Sequence, residues 1–162
     1  MVAALSLVLV LSAAPSDCKR ELFRIERSKN ANVVLYEARP GSTTALDRRE
    51  PVSASWLLLA KNGEREPLSF FEQLIAYGFE AHSNKAGDEA VLKLKALKQR
   101  GLKVVKQGAC LVAVGLIDGA EAVLQRVYVT TDERGAMPEV KSVELFGVDV
   151  ATGEARVEKL VK

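Results

Sequence analysis

Residues 103–150 read KVVKQGACLVAVGLIDGAEAVLQRVYVTTDERGAMPEVKSVELFGVDV, and this stretch decides the fold class. Its first part, 103–117, is a long apolar run broken at Gly108. A glycine inside a strand pattern marks a bulge or a close backbone approach. Asp118-Gly119 is a turn pair favoured between paired strands. Residues 121–131 and 139–150 follow as two further strand segments, separated by the turn-rich residues 132–138. Segments of this kind, joined by turns with no helical period between them, read as antiparallel sheet.

Working outward from this stretch, Thr152-Gly153 turns into a last strand over 155–160. On the N-terminal side, 90–97 alternates Leu92, Leu94 and Ala96 with Lys93 and Lys95, and 78–83 forms a short strand. Residues 52–60 (VSASWLLLA) make another strand carrying Trp56, followed by the turn Lys61-Asn62-Gly63-Glu64. Residues 39–51 hold Pro40, Gly41 and Pro51 among polar residues and read as a loop. Residues 21–29 alternate Phe23 and Ile25 with Arg24 and Glu26, and pair with 33–38 across Lys29-Asn30-Ala31-Asn32. The expectation is a mainly β protein, an antiparallel barrel or sandwich of about eight strands. No strand–helix–strand alternation is present, which argues against a parallel α/β sheet.

One segment breaks the β-pattern. After Pro67, Ser69 and Glu72 form a Ser-x-x-Glu capping box, and Leu68, Phe71, Leu74 and Ile75 share one helical face. This predicts a short helix over residues 69–77, packed across the sheet or over an open end, with Gly78 as a left-handed cap.

The 162 residues are 48% hydrophobic and 27% charged, with a net charge of +2. That balance suits one cored domain, and the mixed signs give no field for a nucleic-acid partner. Residues 1–16 (MVAALSLVLVLSAAPS) carry no charge and are too short for a spanning helix, which needs about 20 apolar residues. An apolar run ending in small residues is the pattern of a secretory signal, with cleavage after Ala14-Pro15-Ser16. The mature chain is then one β-rich domain over 17–162, exported to the periplasm or beyond, with no transmembrane segment. No basic stretch precedes the apolar run, so an upstream start stays open, as does a buried N-terminal strand or helix. Asp17 directly before Cys18 argues against a lipid-anchored form. In an oxidising compartment Cys18 and Cys110 would form one disulfide if their Cα atoms came within about 7 Å. The alternative is two unpaired thiols, Cys110 then being a small core residue.

Few residues carry a chemical pattern. His82 is the only histidine and no Gly-x-Ser-x-Gly elbow exists, so a Ser-His-Asp site has little to build on. The two cysteines are too far apart in sequence for a zinc knuckle, and no Gly-rich phosphate loop is present. No metal and no cofactor is expected. By strand alternation Arg24, Glu26 and Ser28 share one face, while Arg27 points with Phe23 and Ile25 towards the apolar side. If the Arg24/Glu26 face lined a lumen it would bind an anionic group in fork geometry; facing water it is a cross-strand charge pair. Gln125 and Arg126 are a second polar set of the same kind, and Trp56 and Tyr77 are either core or the lining of an apolar pocket.

The segments FRIERSKNANVV (23–34), Ser55-Trp56, IAYGF (75–79) and VELFGVDVATG (143–153) resemble domain-of-unknown-function family 4833, a group of exported bacterial proteins. The resemblance spans most of the chain after residue 16. It implies a single exported domain and brings no catalytic or ligand residue with it. Three function classes follow. The first is a non-enzymatic exported protein binding a small or lipid-like ligand through Arg24, Glu26, Arg27, Trp56, Tyr77 and His82. The second is a protein–protein interaction or structural module of the cell envelope. The third is an enzyme with a polar cleft around Arg24, Glu26 and Arg27. Oligomeric state is not readable from the sequence.

Overall fold

A computed structural model describes residues 18–42, 44–135 and 138–161; the expected signal, 1–16, and its cleavage site lie outside the described residues. The strands are β1 (Glu21–Arg27), β2 (Asn30–Ala38), β3 (Val52–Leu58), β4 (Glu64–Pro67), β5 (Phe79–Ser83), β6 (Glu89–Leu94), β7 (Gly101–Gln107), β8 (Cys110–Ile117), β9 (Ala120–Asp132), β10 (Glu139–Asp149) and β11 (Ala155–Val161). One helix, α1 (Phe70–Ile75), lies between β4 and β5. The mainly β class with one short helix therefore holds, with eleven strands among the described residues rather than about eight. The difference comes from short or split segments. Gly108, expected as a bulge, takes φ 60 and turns the chain between β7 and β8, dividing the run 103–117 into two strands. Asn62 and Gly63, at φ 55 and 81, make the tight β3–β4 turn and leave 64–67 as an edge strand.

All eleven strands join one curled sheet, a half-barrel. Its backbone is β9, thirteen residues long. One edge of β9 pairs with β10 from Ala122 to Asp132. The other edge is shared: residues 120–123 pair with β8, and residues 126–129 pair with β1. The β1–β9 pairing is parallel, the one departure from an antiparallel sheet among the described strands. A register irregularity falls between Phe146 and Gly147, opposite residues 124–126, where β9 changes partner. An extra residue there bends the strand, and the sheet forks into two wings, β1–β4 and β5–β8.

The wings close on one another over the core. Phe23 of β1 stacks on Tyr36 of β2, ring centroids 4.6 Å apart, and Tyr36 meets Phe79 of β5 edge-on at 5.7 Å. Leu92, Leu94, Val104, Ala113 and Ile117 supply the facing layer, each almost wholly buried. Leu46, from the loop between β2 and β3, is also fully buried and is tied by its N–H to the Gly87 carbonyl. The edge strands β4 and β11 are guarded by charge: β4 reads Glu-Arg-Glu-Pro, and β11 carries Arg156, Glu158 and Lys159.

The helix begins as expected and ends otherwise. Ser69 caps it, accepting from the Glu72 N–H while Glu72 accepts from the Ser69 N–H at 2.8 Å. Gly78 is not a left-handed cap. Its need for glycine is steric, since a Cβ there would fall 1.7 Å from the Gln73 carbonyl oxygen. The expected apolar helix face is not packed either: Leu68 is buried, but Phe71 is 57% exposed and Leu74 52%, and Phe70, outside that face, is 81% exposed.

Candidate functional site

The strand β1 has two chemically different faces. Phe23 and Ile25 enter the core, which places Arg24 and Glu26 on the outer face. The register across four strands then sets Arg24, Arg126, Phe146 and Val157 in one row. Arg126 lies over the Phe146 ring at 3.9 Å, a cation–π contact, and donates to Glu26 at 3.2 Å. Arg24 donates from Nε to Glu21 Oε1 at 2.8 Å.

Around this row, at the fork where β9 exchanges β8 for β1, a groove of about 540 Å³ opens. Its lining brings together Lys19, Arg24, Arg126 and Arg156 against a single lining carboxylate, Glu21. Its floor is apolar, made by Leu22, Phe146 and Val157. Arg156 is held there by Asp149, which accepts from its Nε at 3.0 Å and its Nη2 at 2.8 Å. The Thr152 N–H, then the Ala151 N–H and Arg156, hold the Asp149 carboxyl below its ordinary range against the cost of desolvation. The three arginines are thus each paired with a carboxylate: Arg24 with Glu21, which itself lines the groove, Arg126 with Glu26 and Arg156 with Asp149. A guanidinium has five N–H donors, and these contacts engage one or two on each.

On the inner face of the same wing lies a second cluster. Trp56 and Tyr77 pack edge-on at 5.2 Å, and the Trp56 indole donates to Glu72 Oε1 at 3.0 Å. Desolvation pushes the Glu72 carboxyl up, but the Ser69 hydroxyl and N–H and the Trp56 indole outweigh it and hold it below the ordinary value. Burial raises the Tyr77 phenol, with the Arg27 charge opposing and Glu72 adding to it. Arg27 ends β1 with its Nε buried and unpartnered. Tyr36 donates its hydroxyl to the Tyr77 carbonyl at 2.8 Å.

That last contact has a measurable consequence. Burial, and then Tyr77, hold the Tyr36 phenol well above its ordinary value of 10.0. The unfolded chain ionises near pH 10 and the folded one does not, so this stability is complete below pH 10 and lost as pH rises further. Tyr36→Phe should cost about 1–3 kcal/mol at neutral pH by orphaning the Tyr77 carbonyl. It should also flatten the alkaline limb of stability, measured by urea unfolding between pH 8 and 11; a limb of unchanged slope would refute it.

The predicted site residues are therefore divided. Arg24 and Glu26 belong to the outer groove, and Arg27, Trp56 and Tyr77 to the inner cluster. His82 is exposed on β5, opposite Val91 and away from both. A single polar cleft containing Arg24, Glu26 and Arg27 is not formed, because strand alternation sends Arg27 to the other face. The groove does not line the interior of the half-barrel, as one alternative required, but opens on its outside. Sequence reading passed over Lys19, Phe146 and Arg156; the Asp149-to-Thr152-Gly153 turn, which returns Arg156 beside Asp149, was the signal available. Cys18 and Cys110 are joined, Cα atoms 5.2 Å apart, linking the chain just before β1 to the start of β8. Among the described residues no group of three His, Cys, Asp or Glu gathers to hold a metal, and no helix is long and apolar enough to cross a membrane.

These features define a forked β half-barrel with an arginine-lined outer groove. The family described as Domain of unknown function (DUF4833) matches residues 23–159, and the chain belongs to that family. No curated protein and no solved structure matches the chain.

Proposed function

We propose that this chain is a non-enzymatic, exported protein that binds a small anionic ligand in the outer groove. The observation that carries the reading is the convergence of Lys19, Arg24, Arg126 and Arg156 on one partly apolar groove of about 540 Å³. That size lies within the roughly 300–1,000 Å³ usual for small-molecule sites. Arginines pre-oriented by carboxylates lose little freedom when a ligand arrives, which favours binding over simple surface pairing. Export is supported by the apolar residues 1–16 and by a disulfide, a bond that persists in oxidising compartments.

Isothermal titration calorimetry with inorganic phosphate and with succinate tests the groove. Arg24 is half-exposed and paired only locally, so Arg24→Ala should leave the fold intact. It should weaken binding by about tenfold, the loss of one charge-assisted hydrogen bond. Affinity should also fall as salt rises. Absence of saturable heat with both anions at low salt defeats the reading.

One observation favours the second reading, an interaction module: Phe70, Phe71 and Leu74 stand exposed on α1. Native mass spectrometry of protein purified from its own envelope separates the two. A retained small anion supports the groove, and a retained polypeptide supports the helix face.

A further inference from the structure

The two wings end in strand edges that face one another. β4 leaves the sheet at Pro67, opposite Ser55, so residues 52–54 of β3 have no strand on their outer side. β5 closes the other wing and is bonded to β6 alone. Ala54 of the first edge and Phe79 and Ala81 of the second line one cleft of about 370 Å³. The main chain there has groups to offer. The Arg39 N–H donates to the Pro51 carbonyl, so Pro51, Ser53 and Ser55 face β2, and alternation turns Ala54 away from it. The Asn84 N–H donates to Glu89 and the Lys95 N–H to Gly78, so Phe79 and Ala81 turn away from β6 in the same manner. Among the described residues no backbone bond reaches these three from another element. Unlike β4 and β11, β5 holds no lysine, arginine or proline, the usual guards of an edge.

The pairings fix the direction of anything that fills this seam. Followed strand by strand through the sheet, β3 and β5 run in the same sense. A strand continuing the line of β4 is therefore antiparallel to both edges, with its C-terminal end beside the start of β3. There Arg39, Arg49 and Glu50 line the cleft, Arg39 pairing with Glu50, which leaves that end with a net positive charge. We propose that the seam receives the free C-terminal segment of a partner polypeptide as an added strand, its main chain bonded to β3 and β5 and its carboxylate on Arg49 beside the Arg39–Glu50 pair. Main-chain bonds supply affinity in this mode, and side-chain fit supplies selection. Leu68 is buried, and Ala54, Phe79 and Ala81 are packed against the core, so the floor of the seam is already filled. Inward-facing partner residues must then be small, at every second position, while outward-facing ones are unrestricted.

The test is selection from a library of random heptapeptides displayed with free C termini, then calorimetric titration of the enriched peptides as acids and as C-terminal amides. Enriched sequences should carry glycine, alanine or serine at alternate positions. The acid should bind about tenfold more tightly than the amide, and Arg49→Gln should remove that preference. Ala81→Pro deletes an outward N–H on an edge strand, where proline is tolerated, and should weaken binding about fivefold without moving the thermal midpoint. N-methylation of either of two successive peptide residues should also cost about fivefold, since one faces β3 and the next β5. Failure of the library to enrich any peptide overturns the proposal, as does equal affinity of acid and amide. Loss on N-methylation at every second residue only would mean that a single edge is used, and overturns it too. Arg24→Ala and Phe70→Ser should leave peptide affinity unchanged, so the seam stands or falls separately from the anion groove and from the helix face.

Discussion

Replacing both Cys18 and Cys110 by serine should lower the unfolding free energy by about 2–5 kcal/mol and the thermal midpoint by roughly 10 °C. The bond joins residues 92 apart in sequence. On the chain-entropy account, closing a loop of about 100 residues removes about 4.7 kcal/mol from the unfolded state at 25 °C, so the long separation places the effect high in the range. The topology adds a second reason. Cys18 precedes the first strand of one wing and Cys110 opens β8 of the other, and these wings meet along β9 only at the fork. Without the bond, nothing covalent prevents β1 from peeling off the parallel edge of β9, where it holds four register pairs. Urea unfolding with and without reductant measures the effect. Wild type should fall to the serine variant's midpoint when reduced, and the serine variant should ignore the reductant. Equal midpoints for oxidised wild type and variant would remove the disulfide from the stability argument.

The contrast between what sequence made legible and what it hid follows the range of the interactions. Hairpins were readable because their causes are local: Asn62-Gly63 and Asp118-Gly119 carry the positive φ values that tight turns require. The capping box was readable for the same reason, since Ser69 and Glu72 are three residues apart. The fork was not. It depends on β1 pairing in parallel with a strand a hundred residues later, and no local period announces that partner. Helical periodicity misled at α1, because it reports which residues share a face and not whether the face is covered; Phe71 and Leu74 share one and stay exposed. The groove was half legible. Alternation correctly separated Arg24 and Glu26 from Arg27, but Arg156 and Phe146 reach it only through the β9–β10–β11 register. The Arg100–Glu158 ion pair joins residues 58 apart, one just before β7 and one on β11, strands that are not neighbours in the sheet, and gave no sequence signal at all.

Phe23→Ala should prove the most damaging single substitution, at about 3–5 kcal/mol. Phe23 is fully buried and stacks on Tyr36 with ring planes 12° apart, while Tyr36 in turn meets Phe79 edge-on. These three rings bridge β1, β2 and β5, so they tie one wing of the fork to the other. Truncation removes the transfer energy of the ring and leaves a cavity that neither wing can collapse into, because Tyr36 is pinned through its hydroxyl to the Tyr77 carbonyl. Phe23→Leu keeps most of the volume and should cost less than half as much. A double-mutant cycle of Phe23→Leu with Tyr36→Leu should return a coupling of about 0.5–1.5 kcal/mol, the part specific to the stacked pair. Urea unfolding supplies all four corners of that cycle. A cost below about 1 kcal/mol for Phe23→Ala would mean that the wings are held by the sheet alone. The groove supplies an independent readout. Arg24 follows Phe23 on the opposite face of the same strand, so a β1 loosened by the cavity should also weaken anion binding in protein that is still folded.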